Sequence, residues 1–183
     1  ISIPSIKMPS PAAEWSSVMA LRNILTKEEP LLYKKCRPVT AFNARLHQLL
    51  DDMAETLKQA NGVGLAAPQV GILRRVVLVI ETNVPEGESE YIIELINPEI
   101  IESSGVQNGP EGCLSVPGEY GLVERPMHVK VRAQDRNGEW FEVEGTGLTA
   151  RCFCHELDHL DGVVFTSRCE RMLTDEELQS GRY

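Results

Sequence analysis

The apolar residues Leu46, Leu49, Leu50, Met53 and Leu57 recur at three- and four-residue intervals, which lines them along one face of a helix. The spacing predicts a helix over residues 41–60, stopped by Asn61-Gly62, a pair suited to the left-handed turn that ends helices. The apolar run 76–80 reads as a buried strand and 91–96 as a second, with a polar loop between them. Met127, Val129, Val131 and Ala133 alternate with polar residues, the pattern of a strand buried on one face. Asn137-Gly138 then predicts a hairpin that returns through residues 140–144. A second helix is expected over residues 146–160, and a short one over 174–180 capped by Thr174. This order of elements predicts an α+β domain, with mainly antiparallel sheets packed around a central helix.

Composition narrows the class. A chain of 183 residues fits one domain that buries a core without disulfides. The net charge of −9 argues against direct nucleic-acid binding, which favours a basic surface. No apolar run reaches the roughly 18 residues of a membrane span, and no signal-peptide pattern is evident. The five cysteines are odd in number and lack the spacing of a secreted framework. Cys152 and Cys154, two apart on the second predicted helix, should point to different sides and not pair. Reduced thiols fit a cytosolic setting. Residues 1–18 hold Pro4, Pro9 and Pro11 among scattered serines, and Met19-Ala20-Leu21-Arg22 reads like a natural start. The expectation is an extension over 1–18, vector-derived or otherwise outside a single catalytic domain over 19–183.

The second predicted helix carries His155-Glu156-Leu157-Asp158-His159. Imidazoles four residues apart on a helix lie one turn above each other and can share a metal, with the glutamate placed to move protons at a bound water. The third ligand decides the chemistry. The run extends through Gly162 to Phe165, where a metzincin would place a third histidine, and phenylalanine binds no metal. His47 falls on an amphipathic helix and His128 in an alternating strand, so both read as structural or exposed. The later acidic residues Asp161, Glu170, Asp175, Glu176 and Glu177 are not excluded by spacing. Cys113 lies in a segment bounded by Gly109-Pro110 and Pro117-Gly118, a short extended stretch between turns. A thiolate with two imidazoles leaves one tetrahedral position for water. Spacing alone leaves Cys113 open between that role and a small buried residue.

Three separated segments then align with one family. Gly62-Val63-Gly64-Leu65-Ala66-Ala67-Pro68-Gln69, Glu111-Gly112-Cys113-Leu114-Ser115 and His155-Glu156-Leu157-Asp158-His159 resemble, in this order, the GxGxAAxQ, EGCLS and HExxH motifs of peptide deformylases. The resemblance runs from about Leu21 to Phe165. Cys154 stands where the family often has glutamine, and Tyr33 where an arginine is common. The long C-terminal helix of some bacterial members is not matched before Tyr183, which bears on any ribosome docking through it.

The resemblance implies hydrolysis of the N-formyl group from the initiator methionine of new polypeptides, giving formate and a free amine. It implies that Cys113, His155 and His159 hold one divalent metal, natively Fe2+, with Zn2+, Ni2+ or Co2+ able to occupy the site. Glu156 would serve as general base and acid, and Gln69 with the backbone N–H of Leu114 would donate to the oxyanion. The peptide would add as a strand between Val63-Gly64 and Gly112. Its methionine would enter a pocket formed by Val63, Leu148, Arg151 and Cys152, with the Arg151 stem on the wall and its charged end in water. Glu111 or Asp158 would orient ligands, with Arg125 a candidate partner of Glu111. The implied partners are N-formylmethionyl peptides and nascent chains, with transient ribosome association, no membrane, and a location in the bacterial cytosol or an organelle. Two competing readings are a general zinc peptidase and a non-enzymatic binding protein on the same fold; the intact ligands, Glu156 and Gln69 speak against the second.

Overall fold

A computed structural model describes residues 20–183, and the expected extension over 1–18 lies outside the described residues. In chain order the elements are α1 (Ala44–Gln59), β1 (Gly64–Ala66), β2 (Val76–Glu81), β3 (Tyr91–Ser104), β4 (Gln107–Cys113), β5 (Val116–Arg125), β6 (His128–Gln134), β7 (Trp140–Thr146), α2 (Leu148–Leu160), β8 (Arg171–Met172) and α3 (Asp175–Ser180). Five strands form an antiparallel sheet in the order β1-β2-β3-β6-β7, and three form a second in the order β4-β5-β8. The expected α+β class with a central helix carrying the histidine motif is what the chain adopts.

The core follows from the period of two in β2. Val77 and Val79 pack with Ala150, Phe153 and Leu157 of α2 on one face of the large sheet. Val76 and Leu78 pack with Leu46, Leu50, Met53 and Leu57 of α1 on the other. The sheet is thus held between two helices, and each large side chain so buried contributes about 1.5–3 kcal/mol. A third, smaller cluster joins Val116 and Val123 of β5 to Val164 and Phe165 just beyond α2. It fastens the small sheet to the end of the helix.

Several boundaries differ from the sequence expectation for local reasons. Helix α1 begins at Ala44, because the Asn43 side chain accepts the Leu46 N–H at 3.2 Å and caps it. At its far end Asn61, not Gly62, takes the left-handed turn, with φ 52°. Helix α2 begins at Leu148, since Thr146 still pairs with His128 and Gly147 turns the chain with φ 55°. Asn137-Gly138 does make a hairpin. The loop is longer than a two-residue turn: Asp135 N–H donates to Glu139 O at 2.9 Å, and Gly138 supplies the left-handed residue. Strand β3 runs on to Ser104 through two irregularities, the first beside Asn97 at φ 50°. Around Cys113 the expected short extended stretch is the end of β4, but the paired strands β4 and β5 are longer than that expectation: their glycines and prolines conceal a ladder from Gln107↔Arg125 to Gly112↔Tyr120.

The five cysteines are free thiols, as expected for Cys152 and Cys154. Among the described residues, no helix is long and apolar enough to cross a membrane. Asn43→Ala should remove the α1 cap and lower stability by about 1 kcal/mol. Urea unfolding should show a lower midpoint at unchanged slope.

Candidate metal centre

Helix α2 places His155 and His159 one turn apart, both buried, facing the end of β4 where Cys113 sits. The Nε2 atoms of the two rings lie 3.2 Å apart, and Cys113 Sγ lies 3.3 Å from His159 Nε2. One ligand atom from each of the three residues falls within 4.8 Å of the others. A soft thiolate and two imidazoles suit a transition metal in a tetrahedral site with one open position. None of Asp161, Glu170, Asp175, Glu176 or Glu177 joins this cluster among the described residues. His47 and His128 lie apart from it: the His47 ring bonds Arg136 O at 2.7 Å, and His128 is exposed on β6.

The ring of His155 is fixed by Glu111, two residues before Cys113 on β4. His155 Nδ1 lies 2.6 Å from Glu111 Oε1. A carboxylate there holds the proton on Nδ1 and leaves Nε2 free to bind metal. Glu111 also accepts from Arg125 Nη2 at 2.6 Å, Arg125 Nε at 3.1 Å and Arg151 Nη1 at 3.0 Å. Burial alone would raise its pKa, but the bonds from His155 and Arg125 outweigh that and hold it down at about 2. Burial likewise opposes charge on His155, and its bonds to Cys113 and Glu111 reverse the shift upward. His159 has no such support at Nδ1, which is buried without a partner, and burial pulls its pKa well down.

Arg151 departs from expectation. It lines the cleft, but its guanidinium does not reach water: it is 6 % exposed and bonds Glu111 and Val123 O, the latter at 2.9 Å. The buried Glu111 carboxylate offers a stronger partner than solvent would, so Arg151 braces the ligand network and presents only its side to the cleft.

Glu156, next to His155 on α2, is buried, and burial pushes its carboxyl up to about 7. Its Oε2 has no hydrogen-bond partner. Such an orphaned buried oxygen, beside three convergent ligand atoms, fits a site built to receive a metal and its water. Gly64 of β1 lies against it: a Cβ there would fall 2.9 Å from Glu156 Cδ, so the strand approaches only because the side chain is missing. Gln69, in the turn Ala67–Val70, is clamped at both ends of its amide. Its Oε1 accepts from Ala66 N–H at 3.0 Å, while Nε2 donates to Ser115 Oγ at 3.0 Å and points at Cys113 Sγ at 3.5 Å.

These groups open onto one cleft of about 370 Å³ that brings together Val63, Gly64, Gln69, Gly112, Cys113, Leu114, Leu148, Arg151, Cys152, His155 and Glu156. One wall is the segment 61–64 that enters β1 and another is residues 110–113 of β4, and each of these strands is an edge of its own sheet. Leu148 is half exposed at the mouth, whereas Cys152 is buried and its thiol pKa is raised by burial. Three participants escaped the sequence reading. Ser115 holds Gln69, yet its only signal was membership of the Glu111–Ser115 run. Tyr120 lies over Gly112, where a Cβ would come within 2.7 Å of its ring. Phe165, noted only for not being a histidine, stacks on the His155 ring at 6.1 Å and 25°.

Comparison with known proteins gives the family. The model of the polypeptide deformylase family matches residues 21–174. A peptide deformylase of Alkaliphilus metalliredigens is 54 % identical over 150 residues, covering 82 % of this chain and 97 % of that protein. One from Caldicellulosiruptor bescii is 51 % identical over 164 residues, covering 90 % and 95 %. Among solved structures, the Met-Ala-Ser-bound class I type b peptide deformylase of Acinetobacter baumannii superposes with a TM-score of 0.75 at 39 % identity, over 82 % of this chain and 99 % of that one. The chain therefore belongs to the peptide deformylase family, metal-dependent hydrolases that remove the formyl group from the N-terminal methionine of newly made polypeptides.

Proposed function

We propose that Cys113, His155 and His159 are the metal ligands of this deformylase, Glu156 its proton carrier, and Gln69 with the Leu114 backbone N–H its oxyanion donors. The observation that carries this reading is the convergence of the three ligand atoms within 4.8 Å beside the unpartnered oxygen of Glu156. A divalent ion held by these three residues would act as a Lewis acid and would lower the pKa of a water toward about 7. The family resemblance favours Fe2+ as the native ion, with Zn2+, Ni2+ or Co2+ able to replace it.

Glu156 takes a proton from the attacking water and passes it to the amine as the C–N bond breaks, since an amine leaves poorly as an anion. Gln69 Nε2 points toward Cys113 Sγ with its Oε1 already bound to Ala66. The N–H aimed at Cys113 Sγ lies beside the ligand cluster, where the carbonyl oxygen that becomes negative would take it over from the sulfur. The formylated peptide lies as an added strand between Val63-Gly64 and Gly112, the facing edges of the two sheets. Its methionine side chain enters between Val63, Leu148, Cys152 and the side of Arg151. That the Acinetobacter baumannii homologue binds Met-Ala-Ser supports a peptide beginning with methionine as the ligand. Nascent chains are the natural substrates, met by transient association with the ribosome, and the bacterial relatives favour a bacterial cytosol.

Protein prepared anaerobically and loaded with metal should release formate rapidly from formyl-Met-Ala-Ser. Glu156→Ala should bind metal as wild type does and lose roughly 10²–10⁴ in rate; metal-loaded wild type that releases none would refute the reading. For Gln69→Ala, kcat should fall by about 10²–10³ at unchanged metal content, and a near wild-type kcat would remove Gln69 from the mechanism. Gly64→Ala should push the Glu156 carboxylate aside. Because displacement of about 1 Å can cost ~10²-fold, steady-state kinetics should show a kcat loss of that order with metal content preserved.

A further inference from the structure

The ligand network continues past Glu111 to the protein surface. Arg125, 6 % exposed, turns one edge to Glu111 and donates from Nη1 to Asp158 Oδ2 at 2.8 Å. Asp158 sits on α2 between the two histidines and is gripped from outside by Arg168. Arg168 Nε lies 2.6 Å from Asp158 Oδ2, and Nη2 donates to Oδ1 at 2.8 Å, a two-pronged pair. The Arg168 side chain is 49 % exposed. Arg168 follows directly on the turn Phe165–Ser167, with its N–H donating to Phe165 O at 2.8 Å. Phe165 in turn stacks on the His155 ring. One short segment after α2 therefore reaches His155 twice, by packing and through a chain of charges.

We infer that Arg168 is a positioning residue for the metal ligand His155, acting through Asp158, Arg125 and Glu111. Each link ends in a planar carboxylate or guanidinium, and Arg125 and Glu111 are buried with several partners each, which restricts the torsions behind them, so a tilt at one end is largely passed along. With Arg168 in place both oxygens of Asp158 are held. Without it Asp158 keeps a single cationic partner and can turn toward the water in the shallow cleft that Arg168 shares with Arg75 and Cys154. Arg125 Nη1 follows its acceptor, the guanidinium plane rotates, and the paired bonds to Glu111 can no longer both stay short. The bond from His155 Nδ1 to Glu111 then loosens, and Nε2 loses its fixed aim. Because the outer pair is partly in water, ions screen it. The inner pairs are buried and screened far less.

The inference rests on the ligand assignment proposed above, and its test uses Co2+ as the probe on the full-length protein. The readouts are stoichiometry, the visible absorption spectrum of bound Co2+, and the rate of its transfer to a chelator well below the unfolding temperature. Substitutions of residues supporting a ligand typically weaken metal binding by about 10–100-fold. Arg168→Ala, more remote, should speed transfer by roughly 3–10-fold and shift the spectrum. Asp158→Asn should act alike, and the double variant should add little to either. Arg168→Lys, which restores charge without the fork, should fall between Arg168→Ala and wild type. Added NaCl should speed transfer from wild type and leave Arg168→Ala nearly unaffected. Arg168→Ala with a wild-type spectrum, transfer rate and salt response would overturn the role of Arg168 while leaving the ligand assignment intact. Wild type that binds no Co2+, or a Cys113→Ala variant that binds it equally well, would overturn both.

Discussion

Everything at the centre of this protein hangs on one buried carboxylate. Glu111 lies on β4, Arg125 on β5, and Arg151 and His155 on α2, so its bonds join the small sheet to the helix that the large sheet carries. Charges this deep are tolerated only in company. Stripping one partner from such a cluster typically costs about 3–5 kcal/mol, because the remaining charge stays buried and unpaired. The same arrangement that avoids that cost also decides which nitrogen of His155 is available. Here the neutralising of buried charge and the aim of the ring are one requirement.

Much of the fold was written in short-range pattern. Helix α1, β2, β6 and α3 were legible because their apolar spacing or capping residues act within a few positions. Strands β4 and β5 were not: Gly109, Pro110, Pro117 and Gly118 read as turns, and only the pairing of Glu111 with Gly121 and its neighbours makes them a ladder. The exposed second half of β3 carries no apolar alternation and borrows its register from β6.

The site divides in the same way. His155, Glu156 and His159 are neighbours in sequence, so helix geometry alone sets their relation. The approach of Cys113 and Gln69 required the family resemblance, since no local rule joins residues 44 apart. Arg151 shows the limit. Its position four residues before His155 rightly put it on the cleft wall. The direction of its charge was set by a carboxylate 40 residues away, which no periodicity reveals.

The two walls of the cleft have a further consequence. Strands β1 and β4 each end a sheet, and unpaired edges ordinarily invite unwanted pairing between molecules. Here both border one slot, the cleft lined by Val63, Gly64, Gly112 and Cys113, and β1 is only three residues long. A folded partner cannot offer a strand to such a slot, because its strands are already paired and flanked. A loose, extended chain end can. A slot of this kind sorts chains by whether they have folded, before any side chain is read.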